Sequence, residues 1–271
     1  MNKIFIQIAA YRDPQLIKTV EDCVAKAKHP ENLVFAICNQ HEPGGEFIPP
    51  NVDQYKILNI PYQISMGACW ARYATNTLYN GEEYTLQIDS HMRFEQHWDM
   101  TMIDMLNSLP DKSFLTAYVG AYDTETEHKV METWEMKIHP ELPKDIPCFL
   151  PGVFVSDSPK QTLFFSGHFF FAKGEVIKLM PYDRLLYFHG EEVTMALRLY
   201  THGYNGFHPH IPFIWHEYTR KGRTKQWDDD PHWWKLDMRS KDRARQILSG
   251  EIHDQLGVER TVDQYRNAIG I

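Results

Sequence analysis

The first ninety residues alternate short apolar runs with helical ones, and this alternation confines the chain to an α/β architecture. KIFIQIAA (3–10) is strand-like. Asp13-Pro14 then gives a helix-start signal, and Leu16, Ile17, Val20, Val24 and Ala27 recur at helical spacing until His29-Pro30 stops the run. LVFAIC (33–38) and YKILNIP (55–61) read as two further strands. GACWARYATNTLYNG (67–81) reads as a helix ended by Asn80-Gly81, and EYTLQI (83–88) as a fourth strand. Strands of this kind, joined by amphipathic helices, predict a mostly parallel central sheet flanked by helices, a Rossmann-like arrangement that binds ligands at the carboxyl ends of its strands.

The second half is less regular. Residues 118–162 read as loop-rich, with prolines at 140, 143, 147, 151 and 159. TLFFSGHFFFAKGE (162–175) looks like a strand entering a helix through Lys173-Gly174, and HIPFIWHEY (210–218) like another strand. Between them, Val193, Ala196, Leu197 and Tyr200 form one apolar helix face, with Glu191 and Glu192 in the first turn. WWKLDMRSKDRARQILSG (233–250) has helical spacing and could pack on the core or pair two copies as a homodimer. No repeat or linker divides the 271 residues, of which 43% are hydrophobic. The expectation is one domain: a nucleotide-sugar half (1–110), an acceptor-facing half (111–230) and a helical extension (231–271).

Composition narrows the function classes. No hydrophobic stretch reaches secretory or membrane-spanning length, so the chain is expected to be soluble and cytoplasmic, without membrane insertion. The four cysteines are widely spaced beside apolar runs, which favours buried thiols over disulfides or a zinc knuckle. A net charge of -8 argues against a general nucleic-acid coat, although RKGRTK (220–225) is a local basic cluster.

The fourth strand ends in Asp89-Ser90-His91. A carboxylate and an imidazole leaving a strand two residues apart can point at one divalent cation, and this oxygen and nitrogen mix suits Mn2+ or Mg2+ when phosphate oxygens complete the shell. Asp89 could equally cap a helix beginning near Glu95, with His91 on the surface. What raises the metal reading is an ordered set of companions: IFIQIAAYRD, GACWARYATNTLYNGEEYTLQIDSHMRF, SGHFFFAKGE, FHGEEVTMALRLYTHGYN and WHEYTRKG. Over residues 3–221 the chain resembles the GT-A glycosyltransferases of family sixty, the hydroxyproline-linked polypeptide N-acetylglucosaminyltransferase-like proteins. It is more distantly similar to the mucin-type polypeptide N-acetylgalactosaminyltransferases.

The resemblance implies a metal-dependent transfer of a sugar, with N-acetylglucosamine the family-based choice, from a UDP-sugar to a hydroxyl acceptor with retention of configuration. It implies that Asp89 and His91 form a modified Asp-x-Asp metal pair, with His216 as third ligand. Arg220 and Lys221 would face the diphosphate, assisted by Arg223 or Lys225. Ala9, Tyr11 and Arg12 fall on the loop that cradles uracil and ribose, and Asn39 and Gln40 at the next nucleotide contact, where many relatives carry an acid. Ser90 lies within the donor motif. Arg72 resembles an arginine near the donor phosphate or sugar, and is alternatively a solvated helix charge. Glu191 and Glu192 fall where a Gly-Gly-Glu-Asn segment approaches sugar and acceptor, Glu191 being the stronger candidate. A carboxylate there can bind sugar hydroxyls or take the acceptor's proton; alternatively it compensates the helix dipole. Gly167-His168 would line the same cleft, and TRKGRTKQWDDDP reads as a lid or as a solvated loop. The acceptor is a protein or glycan hydroxyl, with a hydroxymethylated nucleic-acid base as a further candidate, which Trp227, Trp233 and Trp234 could stack. A metal-dependent sugar-nucleotide binder or hydrolase is the reading from another class.

Overall fold

The computed structural model describes every residue except 1, 52, 142–144, 220 and 221. Strand β1 (Ile4–Tyr11) is buried on both faces: Ile4, Ile6 and Ile8 point into one core and Phe5 into the other, because successive side chains of a strand alternate. It leads into helix α1 (Leu16–Lys26), strands β2 (Leu33–His41) and β3 (Tyr55–Pro61), helix α2 (Ala68–Asn76) and strand β4 (Tyr84–Asp89). Parallel pairing sets β1 between β2 and β4, with Tyr11 opposite Gln40 and Ala9 opposite Asp89. That register brings three strand ends to one rim.

Beyond β4 come β5 (Met92–Phe94), α3 (Trp98–Asn107), β6 (Ser113–Thr116), β7 (Gly120–Ala121), β8 (Thr133–Ile138), β9 (Phe149–Phe154) and β10 (Lys160–Thr162). The chain continues through β11 (Phe169–Lys173), α4 (Val176–Leu179), α5 (Glu191–Thr201), β12 (Asn205–His208) and β13 (Ile214–His216). It closes with α6 (Gln226–Asp229), α7 (Trp233–Ser249) and α8 (Val262–Ile269). The main sheet has eight strands in the order β10-β12-β6-β11-β4-β1-β2-β3. Its β3-β2-β1-β4 half is parallel as expected, but the other half is mixed, because β11 runs antiparallel to both β4 and β6. The stretch expected to be loop-rich also holds structure: β8 and β9 pair as an antiparallel ribbon despite Pro151, which an edge strand tolerates.

A second, three-stranded sheet determines the site. In the order β5-β13-β7 it sets His216 opposite Met92, and the Glu217 N–H donates to the His91 carbonyl at 3.1 Å. Residues far apart in sequence thus become neighbours.

One core lies under α1 and α3, where the buried Trp98 donates its indole N–H to the Cys23 carbonyl at 2.9 Å. The other lies under α5, α7 and α8. The C-terminal helical segment therefore packs on its own core. Its Ala244 lies so close to Gly190 that a Cβ there would sit 2.6 Å from the alanine methyl, and Gly190 also takes φ +95°. All four cysteines are free. Among the described residues no helix is long and apolar enough to cross a membrane.

Candidate active site

The carboxyl ends of β1, β2 and β4 open into a cleft of about 590 Å³, walled on its far side by the start of α5 and roofed by residues 223–227. Asp89, His91 and His216 meet on its floor. His91 Nε2 lies 3.0 Å from His216 Nε2 and 3.5 Å from Asp89 Oδ2, and His216 Nε2 is 3.2 Å from Asp89 Oδ2. An octahedral cation with ligands at about 2.1 Å holds adjacent donor atoms about 3 Å apart, so these three atoms form one face of such a shell. Asp89 is no helix cap, since β5 follows it and α3 starts at Trp98.

Charge fits the same reading. Burial alone would raise the Asp89 carboxyl, but the hydrogen bond from His216 and the charge of Arg72 hold it well below the ordinary carboxylate range. Burial pushes His216 down to about 4, so the ring is neutral, and with its proton on Nδ1 it could offer the Nε2 lone pair to a cation in place of the bond to Asp89. Its Nδ1 has no partner, and its ring is held by packing against His168 and Tyr218, with centroids 4.5 and 4.2 Å away. Burial likewise takes His168 well below its usual value.

Arg72 reaches the site from α2 and is not a solvated helix charge. Its guanidinium is buried, donates to Asp89 Oδ1 at 2.8 Å and lies 3.3 Å from Glu191 Oε1. Its Nη1 nevertheless has no partner. Arg223, also lining the cleft, is bound to Glu217, and its buried Nε is similarly unpaired. Unpaired guanidinium N–H groups on two arginines that line one cleft suit an anionic ligand.

The two glutamates divide. Glu191 is fixed between Arg72 and the Tyr182 hydroxyl, which donates to it at 2.6 Å. Glu192 accepts from the Tyr118 hydroxyl at 2.6 Å and from the Gly167 N–H at 2.9 Å. Burial raises Glu192 to about 7 despite those two bonds. A carboxyl poised there can hold or release a proton near neutrality.

At the nucleotide end the residues singled out from the sequence differ in placement. Ala9, Tyr11, Ser90 and Gln40 line the cleft. Asn39 does not: its amide donates to the Gly45 carbonyl and to Asn59, bracing the loop after β2. Arg12 points away from the cleft lining, pairing with Asp229 and Glu42 and stacking over Tyr62, while the Tyr11 hydroxyl donates to Asp229 at 2.7 Å. The Ser90 hydroxyl is spent on Asp13 at 2.7 Å. Arg220 and Lys221 lie outside the described residues. Of the aromatics, Trp227 lines the cleft against Phe188, whereas Trp233 and Trp234 are partly exposed at the start of α7. Sequence reasoning missed Tyr118, Tyr182 and Tyr218, which carry no local signal. It also missed the role of Asp13, whose Asp-Pro context already explained it as a helix start.

This arrangement belongs to a known fold. The chain is similar over 100% of its length to a structure of GalNAc-T7 with UDP, GalNAc and Mn2+ (TM-score 0.62, 13% identity), and over 97% to S. aureus TarS (TM-score 0.57, 10% identity). It spans 55% and 41% of those chains, about half their length. These likenesses define a GT-A glycosyltransferase fold. The model of the glycosyltransferase (GlcNAc) family matches residues 3–56 and 51–271, and the protein belongs to that family. No curated protein matches its sequence.

Proposed function

We propose that the protein transfers a sugar, N-acetylglucosamine, from UDP to a hydroxyl of a protein or glycan, with retention of configuration and dependence on a divalent cation. The observation that carries this reading is that Arg72 and Arg223, each with unpaired N–H groups, line the same cleft as Asp89, His91 and His216. Anion donors and cation ligands in one cleft are what a nucleoside diphosphate requires. The family description names GlcNAc, and GalNAc-T7 was solved with UDP, GalNAc and Mn2+. Retention rests on the family resemblance.

Asp89, His91 and His216 would hold Mn2+, which tolerates two imidazoles better than Mg2+ does; bound there it would offset negative charge growing on the departing diphosphate. Arg72 and Arg223 would donate to the same diphosphate. Glu191 keeps Arg72 in place. Glu192, rather than the Glu191 favoured by the sequence, is the carboxylate we assign to the acceptor's proton, because burial raises it to about 7 while Glu191 is taken up by Arg72 and Tyr182. Gln226 and Trp227 roof the cleft, where they would shield a bound donor from water. The basic cluster gives little support to a nucleic-acid acceptor: Arg223 is paired inward with Glu217 and Asp13, and Lys225 lies 3.5 Å from Asp228.

The test is a panel of UDP-GlcNAc, UDP-GalNAc and UDP-glucose with Mn2+, measuring released UDP and, once an acceptor is found, the product's anomeric configuration by NMR. UDP-GlcNAc should be turned over fastest. Failure to bind or turn over any UDP-sugar would refute the proposal, and an inverted product would remove retention from it.

A further inference from the structure

Asp13 sits where β1 passes into α1, and its two oxygens do different work. Oδ1 accepts the Gln15 N–H at 2.8 Å, which is all that a helix start asks of it. Oδ2 faces the site. It accepts the Ser90 hydroxyl at 2.7 Å and lies 2.7 Å from His91 Nδ1 and 3.5 Å from Arg223 Nη1. The side chain is only 4% exposed, and a buried charge is costly unless its partners are well placed.

Those partners are two working groups of the cleft. An ionised carboxylate can only accept, so His91 carries its proton on Nδ1 and presents the bare Nε2 lone pair to the point shared with Asp89 and His216. Arg223 is held from the other side by the Glu217 carbonyl at 3.0 Å and carboxylate at 2.9 Å, and Glu217 directly follows His216. The guanidinium thus links Asp13, which holds the His91 ring, to the residue that follows His216. Its remaining buried N–H is the unpaired Nε.

We propose that Asp13 is a positioning residue that sets two groups at once, His91 as a cation ligand and Arg223 as a diphosphate donor. This rests on the function proposed above. A helix-start residue would need Oδ1 alone, and Asn would serve there as well. The assignment adds a residue to the site that touches neither cation nor nucleotide.

The experiment uses the full chain freed of metal, with Mn2+ affinity read by electron paramagnetic resonance of free Mn2+ and UDP affinity by calorimetry in chelator. Asp13→Ala should weaken Mn2+ about 10–100-fold, the usual cost of losing a ligand's carboxylate partner. It should also weaken metal-free UDP binding. Arg223→Ala should weaken UDP and cost Mn2+ less than Asp13→Ala does, and adding Asp13→Ala to it should cost further Mn2+ affinity but no more UDP affinity. Asp13→Asn keeps size and an acceptor for Gln15, so a loss of Mn2+ affinity there at an unchanged metal-free melting temperature separates positioning from folding. The proposal is overturned if both Asp13 variants bind Mn2+ as wild type does, or if the two UDP losses simply add. It is also overturned if Asp13→Ala tightens UDP, since Asp13 would then merely compete with diphosphate for Arg223. Wild-type protein that binds neither Mn2+ nor UDP would instead sink the proposed function itself, and this inference with it.

Discussion

Replacing Glu192 by Gln should stabilise the protein at alkaline pH while disabling it. Burial raises this carboxyl from its ordinary 4.5 to about 7 in the folded state. A raised acid is easier to keep neutral when folded, so the unfolded chain ionises it first and the folded protein loses stability as pH climbs from about 4.5 to 7. The full shift corresponds to about 3 kcal/mol. Solvent reaches the side chain from the cleft, which reduces the expected value to about 1–2 kcal/mol. Gln cannot ionise; its one oxygen can take the place of Oε1 for the Gly167 N–H, and its amide that of Oε2 beside the Tyr118 hydroxyl, which can then accept. The two proteins should therefore melt together near pH 4.5 and separate by a few degrees at pH 8, the variant being higher, in metal-free calorimetry. Turnover of the variant should fall about 10²-fold or more with UDP affinity retained. Melting curves that keep a constant gap from pH 4.5 to 8 would refute the reasoning about its burial, and unchanged turnover would refute its role.

Other perturbations probe the walls and the roof. Arg12→Gln and Asp229→Asn break the same contact between the end of β1 and α6, so their effects on proteolytic protection of the 222–230 segment should be non-additive in a double-mutant cycle. Full additivity would mean that Asp229 does not dock the roof. Gly67→Ala would place a Cβ 2.6 Å from the Tyr187 ring at φ +99°, at the start of the helix that carries Arg72. It should cost about 1–3 kcal/mol of stability and weaken UDP binding; a neutral variant by thermal melting would show that the cleft wall yields freely.

Where the chain's pattern carried physical information, the fold could be read from it. Ile4, Ile6 and Ile8 opposite Phe5 marked β1 as buried on both faces, and the helical spacing of Leu16, Val20 and Val24 marked α1. Strand direction left no such mark: Phe169–Lys173 is as apolar as a parallel strand, and only pairing with β4 and β6 shows that it runs the other way. In the site, Asp89 and His91 were legible because polar residues abruptly end an apolar strand. His216 needed the resemblance, since its closeness to His91 depends on β13 pairing with β5. Asn39 and Arg12 were assigned to the nucleotide by position along the chain, but their side chains are taken up by Asn59 and Asp229, which sequence spacing does not reveal. Read from sequence, Glu191 stood ahead of the adjacent Glu192, although no local pattern separates them. Their ranking depends on Arg72 and Tyr182 around one and on Tyr118 and Gly167 around the other.

The central claim is that three cation-ligating side chains and two arginines with unpaired N–H groups form one cation and diphosphate site. Calorimetric titration of UDP into wild type and His91→Ala, each with Mn2+ and with chelator, tests it most directly. The account predicts that Mn2+ strengthens UDP binding to wild type by tenfold or more and has little effect on the variant, with weak residual binding to both in chelator through Arg72 and Arg223. UDP binding that is indifferent to Mn2+ in wild type, or equally metal-dependent without His91, would contradict it.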